Sequence, residues 1–241
     1  MKIWFYFSMK RLLSFAKLIT MVTLTVLYLP VNASAGTIRL GGTGSALGTM
    51  LILAEKFKQS DLQFTTTVVP NLGSSGGLKA LATGVIDIAL ISRPLKDEEK
   101  ALGLVAIEYG KTPFILATNK KGITGLIIKE AVEIYAGKQA NWPDGSPIRL
   151  VLRPASDTDT SLLAGFSPEM KQAVESALSR EGMVVALTDQ DAVNQIEKLS
   201  GALGTTSLAI ILSEKKTITP LAIDGVTPSV KTLADKIYPL Y

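Results

Sequence analysis

Residues Pro70 to Leu95 read PNLGSSGGLKALATGVIDIALISRPL. Leu78, Leu81, Ala82 and Val85 recur at helical spacing, so an amphipathic helix follows the glycines. Val85 to Ile91 is a β-rich apolar run of the length of a buried strand. GSSGG therefore forms a loop at a helix N-terminus, where free backbone N–H groups and the positive end of the helix dipole meet. Glycine allows tight turns with positive φ, and serine adds hydroxyl donors. Such a loop suits an anion. Taken alone, it reads first as a serine N-cap with glycines turning the chain.

Moving outward toward the N-terminus, Thr37 to Gly42 is a short strand entering GGTGSALG, Gly41 to Gly48. A helix follows with Met50, Leu53, Ala54 and Phe57 on one face. Leu62 to Val69, rich in Thr and Val, is a second strand. The order βαβαβ predicts a parallel sheet with right-handed crossovers. Toward the C-terminus, Lys96 to Gly103 is a charged connector. Leu104 to Asn119 is extended and apolar, leaving the first unit. A second α/β unit follows. Leu126 to Ala136 is helical and stops at Gly137. Ile148 to Arg153 is a strand, and Asp157 to Phe166 opens a helix. Ser167 caps another helix with Pro168 at its first position. Met183 to Leu187 is a strand, Asp189 to Leu199 a helix, and Ile218 to Ile223 a strand. The expected boundaries are an export signal over 1–35, a first lobe over 36–117 and a second lobe over 118–241.

Lys10 and Arg11 precede an apolar run, Leu18 to Leu29, and Ala33-Ser34-Ala35 is an A-x-A site, so cleavage is expected after Ala35. Twelve apolar residues are short of the ~20 that span a bilayer. The formal net charge is +4. Lys2, Lys10, Arg11 and Lys17, all before Gly36, account for it, which leaves the remainder balanced and without a basic footprint for nucleic acid. The sequence has no cysteine and no histidine. Thiol nucleophiles, a lipid-anchored cysteine, Ser-His-Asp triads and histidine-ligated metals are excluded. A binding protein, not an enzyme, is expected.

GSSGG has two counterparts between a strand and a helix: GGTGSALG and PASDTDTS, Pro154 to Ser161. Such loops sit at the carboxyl ends of strands, where open α/β sheets bind ligands. The anion loops are thus 41–48 and 73–77 in the first lobe and 154–161 in the second. A cleft between lobes lets all three converge on one small oxyanion. The glycines of the first loop read GxGxxxG, a poor match to the dinucleotide fingerprint.

GTGSALG, GSSGGLKALATGVIDIALISRPL, IYAGKQANWPDG before IRLVLRP, GALG at Gly201, and DGVTPS with YPL together resemble the phosphate-binding proteins of bacterial phosphate ABC transporters. The resemblance covers nearly all of Gly36 to Leu240. It implies the two-lobed type II periplasmic binding-protein fold, an α/β architecture of parallel-rich sheets flanked by helices, with the ligand cleft between lobes. By the resemblance, Ser45 and the N–H of Ala46 serve the first loop, Ser74 and Ser75 the second, and Thr158 and Thr160 the third. Two departures stand out. Arg93 follows Ser92 where familiar members carry an acceptor Asp. Pro154 stands where the family has Arg, with Arg153 one place before it. Arg93 then reads as a guanidinium fork on the oxyanion, or as a surface arginine pairing with Asp97 or Glu98. Asp157 and Asp159 read as helix caps or ligand acceptors. Ser92, Arg153 and Asp159 complete the candidates, and Trp142 reads as a packed residue near the hinge. Family chains continue past YPL with a return strand and helix, which are expected to be missing here.

The resemblance implies capture of phosphate in the periplasm for an ABC permease by a monomer, without cofactor or metal. Sulfate, molybdate or phosphonate are the alternative ligands. A shortened interaction or sensor protein that keeps the fold is the alternative role.

Overall fold

The computed structural model describes residues 36–60 and 64–240. The expected export signal over 1–35, with its cleavage point, lies outside the described residues. The first half runs β1 (Gly36–Gly42), α1 (Gly44–Ser60), β2 (Phe64–Val69), α2 (Gly73–Ala82) and β3 (Ile88–Leu90). The three strands form one sheet in the order β2-β1-β3, and both pairings are parallel. This is the expected βαβαβ unit. Asp87 fastens β3 to β1, accepting from the Arg39 backbone N–H at 2.8 Å and from its guanidinium at 2.9 and 3.1 Å.

A short helix, α3 (Asp97–Lys100), and an extended segment lead to the second half. There the chain runs β4 (Phe114–Thr118), β5 (Gly125–Leu126), α4 (Ile128–Tyr135), β6 (Arg149–Leu152), α5 (Thr158–Ala164) and α6 (Pro168–Ser179). It continues through β7 (Val184–Val185), α7 (Asp189–Lys198), β8 (Ala202–Ser207), α8 (Leu208–Ser213), β9 (Thr219–Pro220), β10 (Ala222–Ile223) and α9 (Val230–Ala234). A five-stranded sheet has the order β7-β6-β8-β4-β9. It is mixed: β6 pairs parallel with β7 and β8, whereas β4 runs antiparallel to β8 and β9. β5 and β10 form a separate parallel pair. The expected single strand over Ile218 to Ile223 is therefore split between two sheets at Leu221. The α6 cap forms as read, with the Ser167 hydroxyl accepting from Met170 N–H at 3.1 Å.

The two sheets are unequally filled. The five-stranded sheet holds a large core that includes Ile115, Leu116, Leu150, Val151, Leu203 and Tyr135. Trp142 is buried in that core and donates its indole N–H to Gly201 O at 3.0 Å. The three-stranded sheet has a small cluster of Ala46, Leu47 and Leu90, with Met50 and Val68 beside them, and buries Leu40, Leu78 and Ile86 besides. The expected apolar face of α1 does not close: Leu51, Ile52 and Leu53 are half exposed, and Phe57 is exposed as well. The reason lies at the other end of the helix. α1 packs through its first turn, Gly44 to Gly48, against α7 and α8. A Cβ on Gly44 would fall 2.5 Å from the Asp189 Cβ, and one on Gly48 would fall 2.3 Å from Ser213 Oγ. The glycines of GGTGSALG let helices of the second half reach the helix start of the first.

Candidate functional site

The first site loop begins where β1 ends. Gly42 has φ of 143°, and a Cβ there would collide with Leu90 O. The strand is thus pressed against β3, and Thr43 N–H donates to Leu90 O at 2.9 Å. The turn directs the first N–H groups of α1 toward the second half of the chain. The second loop reverses through Asn71 and Gly73, with φ of 62° and 64°. α2 then starts from Leu72, whose side chain makes no capping bond. The serines do not cap this helix. The Ser74 hydroxyl accepts from Ser92 N–H at 3.2 Å and lies 3.3 Å from Ser92 Oγ. The first-turn N–H groups of α2 are left for other acceptors.

The third loop follows β6. Asp157 caps α5, accepting from Asp159 N–H at 2.9 Å, as its capping reading has it. Its other oxygen meets Arg153 Nη2 at 2.7 Å. Arg153 is only 5% exposed. Its Nη1 donates to Ala186 O at 2.8 Å and its Nη2 also reaches Asp189 Oδ1 at 3.3 Å. The Nε is buried and has no partner among the described residues.

These loops line one cleft of about 240 Å³. Gly42 and Gly44 come from the first loop, Asn71 to Gly76 from the second, and Arg153, Pro154, Ser156, Asp157 and Thr158 from the third. Ser74, Ser75, Arg153 and Thr158 thus meet at one place. Ser45 reaches the site through its backbone N–H. Ala46 is buried behind it and does not line the cleft. Thr160 turns away, donating to Arg153 O at 3.1 Å and lining a small neighbouring cavity. Asp159 is buried beneath the loop.

Arg93 does not line the cleft. Its two terminal nitrogens grip Glu99 at 2.8 and 2.7 Å. Hydrogen bonds from Arg93 and from Lys96 N–H hold the Glu99 carboxyl down at about 2. The partner is neither Asp97 nor Glu98, because the turn into α3 brings Glu99 back as part of a capping box. Arg93 keeps one link to the second loop, donating from Nη2 to Ser75 Oγ at 3.0 Å.

A fourth loop, unforeseen from the sequence, closes the cleft: Leu187, Thr188, Asp189 and Gln190 at the start of α7. Asp189 Oδ2 accepts from Ser45 N–H at 3.0 Å and from Thr43 Oγ1 at 3.4 Å. Gln190 Nε2 donates to Gly44 O at 3.0 Å. The signal was present as Thr188-x-x-Asp191, a helix-cap pattern confirmed by a 3.1 Å bond. An acid inside such a first turn reads as a dipole partner, which hides its second role.

Asp157, Asp159 and Asp189 bring carboxylate oxygens within 4.8 Å of one another, and Arg153 supplies the positive charge among them. Burial, then Asp189 and Asp157, raise the Asp159 carboxyl to about 8 against the pull of Arg153 and Thr205. Burial thus favours the neutral form of the Asp159 carboxyl. Burial also raises Asp189, helped by Asp157 and opposed by Arg153 and by the N–H groups of Ser45 and Gly44.

Two α/β bodies with strand-end loops converging on a donor-lined cleft match a known architecture. The PBP superfamily domain matches residues 30–241. The chain belongs to this family. A curated relative, the phosphate-binding protein PstS of Bacillus subtilis strain 168, is 27% identical over 221 residues, covering 86% of this chain and 68% of that protein. Phosphate-binding protein PstS 2 of Streptococcus pneumoniae serotype 4 is 29% identical over 109 residues, 45% of this chain and 37% of its own length. Among solved structures, a putative phosphate ABC transporter substrate-binding protein of Clostridium perfringens with bound phosphate superimposes with a TM-score of 0.68 at 22% identity. The match covers 85% of this chain and 83% of that one. The PBP fold is thus shared with proteins named for phosphate. No described helix of this PBP-family chain is long and apolar enough to cross a membrane.

Proposed function

We propose that this chain is a solute-binding protein for a small oxyanion, with phosphate as the favoured ligand, and that it serves an ABC importer from the periplasm. One observation carries the reading. The chain's own carboxylate, Asp189, already sits on the α1 N-terminus with Arg153 beside it, so this donor set accepts a negatively charged oxygen. Ser74, Ser75, Thr158 and the uncapped start of α2 extend the set around the cleft. The names of the Bacillus and Clostridium relatives support phosphate.

The acceptor missing at Arg93 has a substitute across the cleft. Asp157 lines the cavity and can accept a hydrogen bond from the proton that hydrogen phosphate carries and sulfate lacks. Arg93 contributes by fixing Ser75 instead of touching the ligand. Calorimetric titration with phosphate, sulfate, molybdate and a phosphonate tests the reading. Saturable binding with phosphate tightest is expected. Failure of all four to bind would leave the fold to serve as an interaction or sensor module.

A further inference from the structure

We infer that Asp189 is a built-in competitor for the anion: its carboxylate occupies the donors of the α1 N-terminus and holds the two halves of the cleft together, so an oxyanion enters only by displacing it. This rests on the oxyanion reading of the cleft and adds its regulation. The geometry is specific. Asp189 belongs to α7, in the half of the chain built on the five-stranded sheet, yet one oxygen is bonded to Ser45 N–H and Thr43 Oγ1 of the other half. The second oxygen stays on its own side, 3.3 Å from Arg153 Nη2. One carboxylate thereby spans the donors that a ligand would bridge. Gln190 strengthens the crossing through Gly44 O and Glu214 Oε1, at 3.0 and 2.9 Å. Gly44 has no side chain, and any Cβ there would meet Asp189 Oδ2 at 2.6 Å. The close seating is therefore encoded on both sides of the cleft.

The charge around Asp189 has the same consequence. The groups facing it are Arg153 at the end of β6, Asp157 and Asp159 at the start of α5, and, through Gln190, Glu214 with its partner Lys216. Asp191 of its own helix turns to Leu187 N–H. Burial favours neutral Asp159, Arg153 pairs with Asp157, and the charge of Asp189 on the donors of α1 bears directly on whether the cleft repels or admits an anion. Burial raises the Asp189 carboxyl, so it takes a proton as pH falls through that raised value. The neutral acid gives up its claim on Ser45 N–H and Arg153, and anion binding strengthens.

Sulfate is the probe for titration, because its charge is constant where phosphate changes protonation. Its affinity for the wild-type chain is measured from about pH 5 to about pH 8.5, alongside Asp189→Asn and Asp189→Ala. The expected result is tighter binding at low pH for the wild type. Asp189→Asn should bind about tenfold or more tightly at high pH, with a flattened pH profile, since one like charge is gone. A small-angle scattering arm without anion should show Asp189→Ala expanded relative to the wild type. Equal sulfate affinity in wild type and Asp189→Asn across the range, or no sulfate binding by either, would overturn the competitor role, while saturable phosphate binding left the oxyanion reading standing. Absence of phosphate and sulfate binding in all three proteins would overturn the oxyanion reading instead. Scattering then judges the latch alone, and an unchanged radius of gyration in Asp189→Ala overturns it.

Discussion

Ser74 and Arg93 lie within one short stretch, and both were candidates for the anion, yet their surroundings assign them different work. Ser74 is buried, lines the cleft and shares its hydroxyl with Ser92. Replacing it with Ala removes a donor to a charged acceptor, and calorimetry should record a loss of about 1–3 kcal/mol in anion affinity. Arg93 is matched by Glu99 before any ligand arrives. Arg93→Ala should change anion affinity less than about threefold, as expected for a cation whose charge is met elsewhere. A larger loss would mean that the guanidinium swings into the cleft on binding. The stretch from Pro70 to Leu95 revealed the loop and its donors. It could not reveal which carboxylate Arg93 would choose, because that depends on how the turn into α3 folds back.

At the scale of elements, the glycines of GGTGSALG are a packing device, whatever the loop binds. Gly44→Ala would force α7 away from α1, since the new methyl would lie 2.4 Å from Gln190 Oε1 and 2.6 Å from Asp189 Oδ2. The expected outcome is weaker anion binding, because donors from the two halves no longer meet, and a lower melting temperature; calorimetry and thermal melting check both. Element order in the first half was legible because β1, β2 and their helices obey simple apolar periods. The central strand β8 was not. Its sequence, ALGTTS, places two threonines and a serine where a buried strand usually carries branched apolar side chains. All six residues are buried nonetheless, because β4 and β6 pair with both edges and α7 packs over the strand. Of the site, three loops were readable from their hydroxyls and glycines. The fourth was hidden because Thr188 and Asp189 look like ordinary capping residues, and only the approach of α7 to α1 gives Asp189 its partner.

For the whole molecule, the raised Asp159 carboxyl sets an unusual pH dependence. An acid whose native value lies above its unfolded one costs stability when it ionises. The favourable state is complete below the unfolded value of about 4 and is lost as pH rises toward the native value. Thermal melting should therefore show wild-type stability falling between about pH 4 and the native Asp159 value of about 8. Asp159→Asn should flatten that slope and be the more stable protein at alkaline pH. An identical slope in both proteins would place the titration elsewhere. The usual pattern for paired carboxylates, loss of stability in acid, has the opposite sign.

Trp142, buried in the core of the five-stranded sheet and tied to Gly201, makes the unequal filling of the two cores visible to spectroscopy. Only two tryptophans occur in the sequence, and the other is Trp4. In a chain starting at Gly36, indole emission therefore reports one body, while far-ultraviolet dichroism reports both. The sparsely filled three-stranded sheet should melt first and leave the fluorescence untouched, so the two signals should separate on heating. An anion bound across the cleft would make each body's melting depend on the other and draw the curves together. That convergence would register binding without any label.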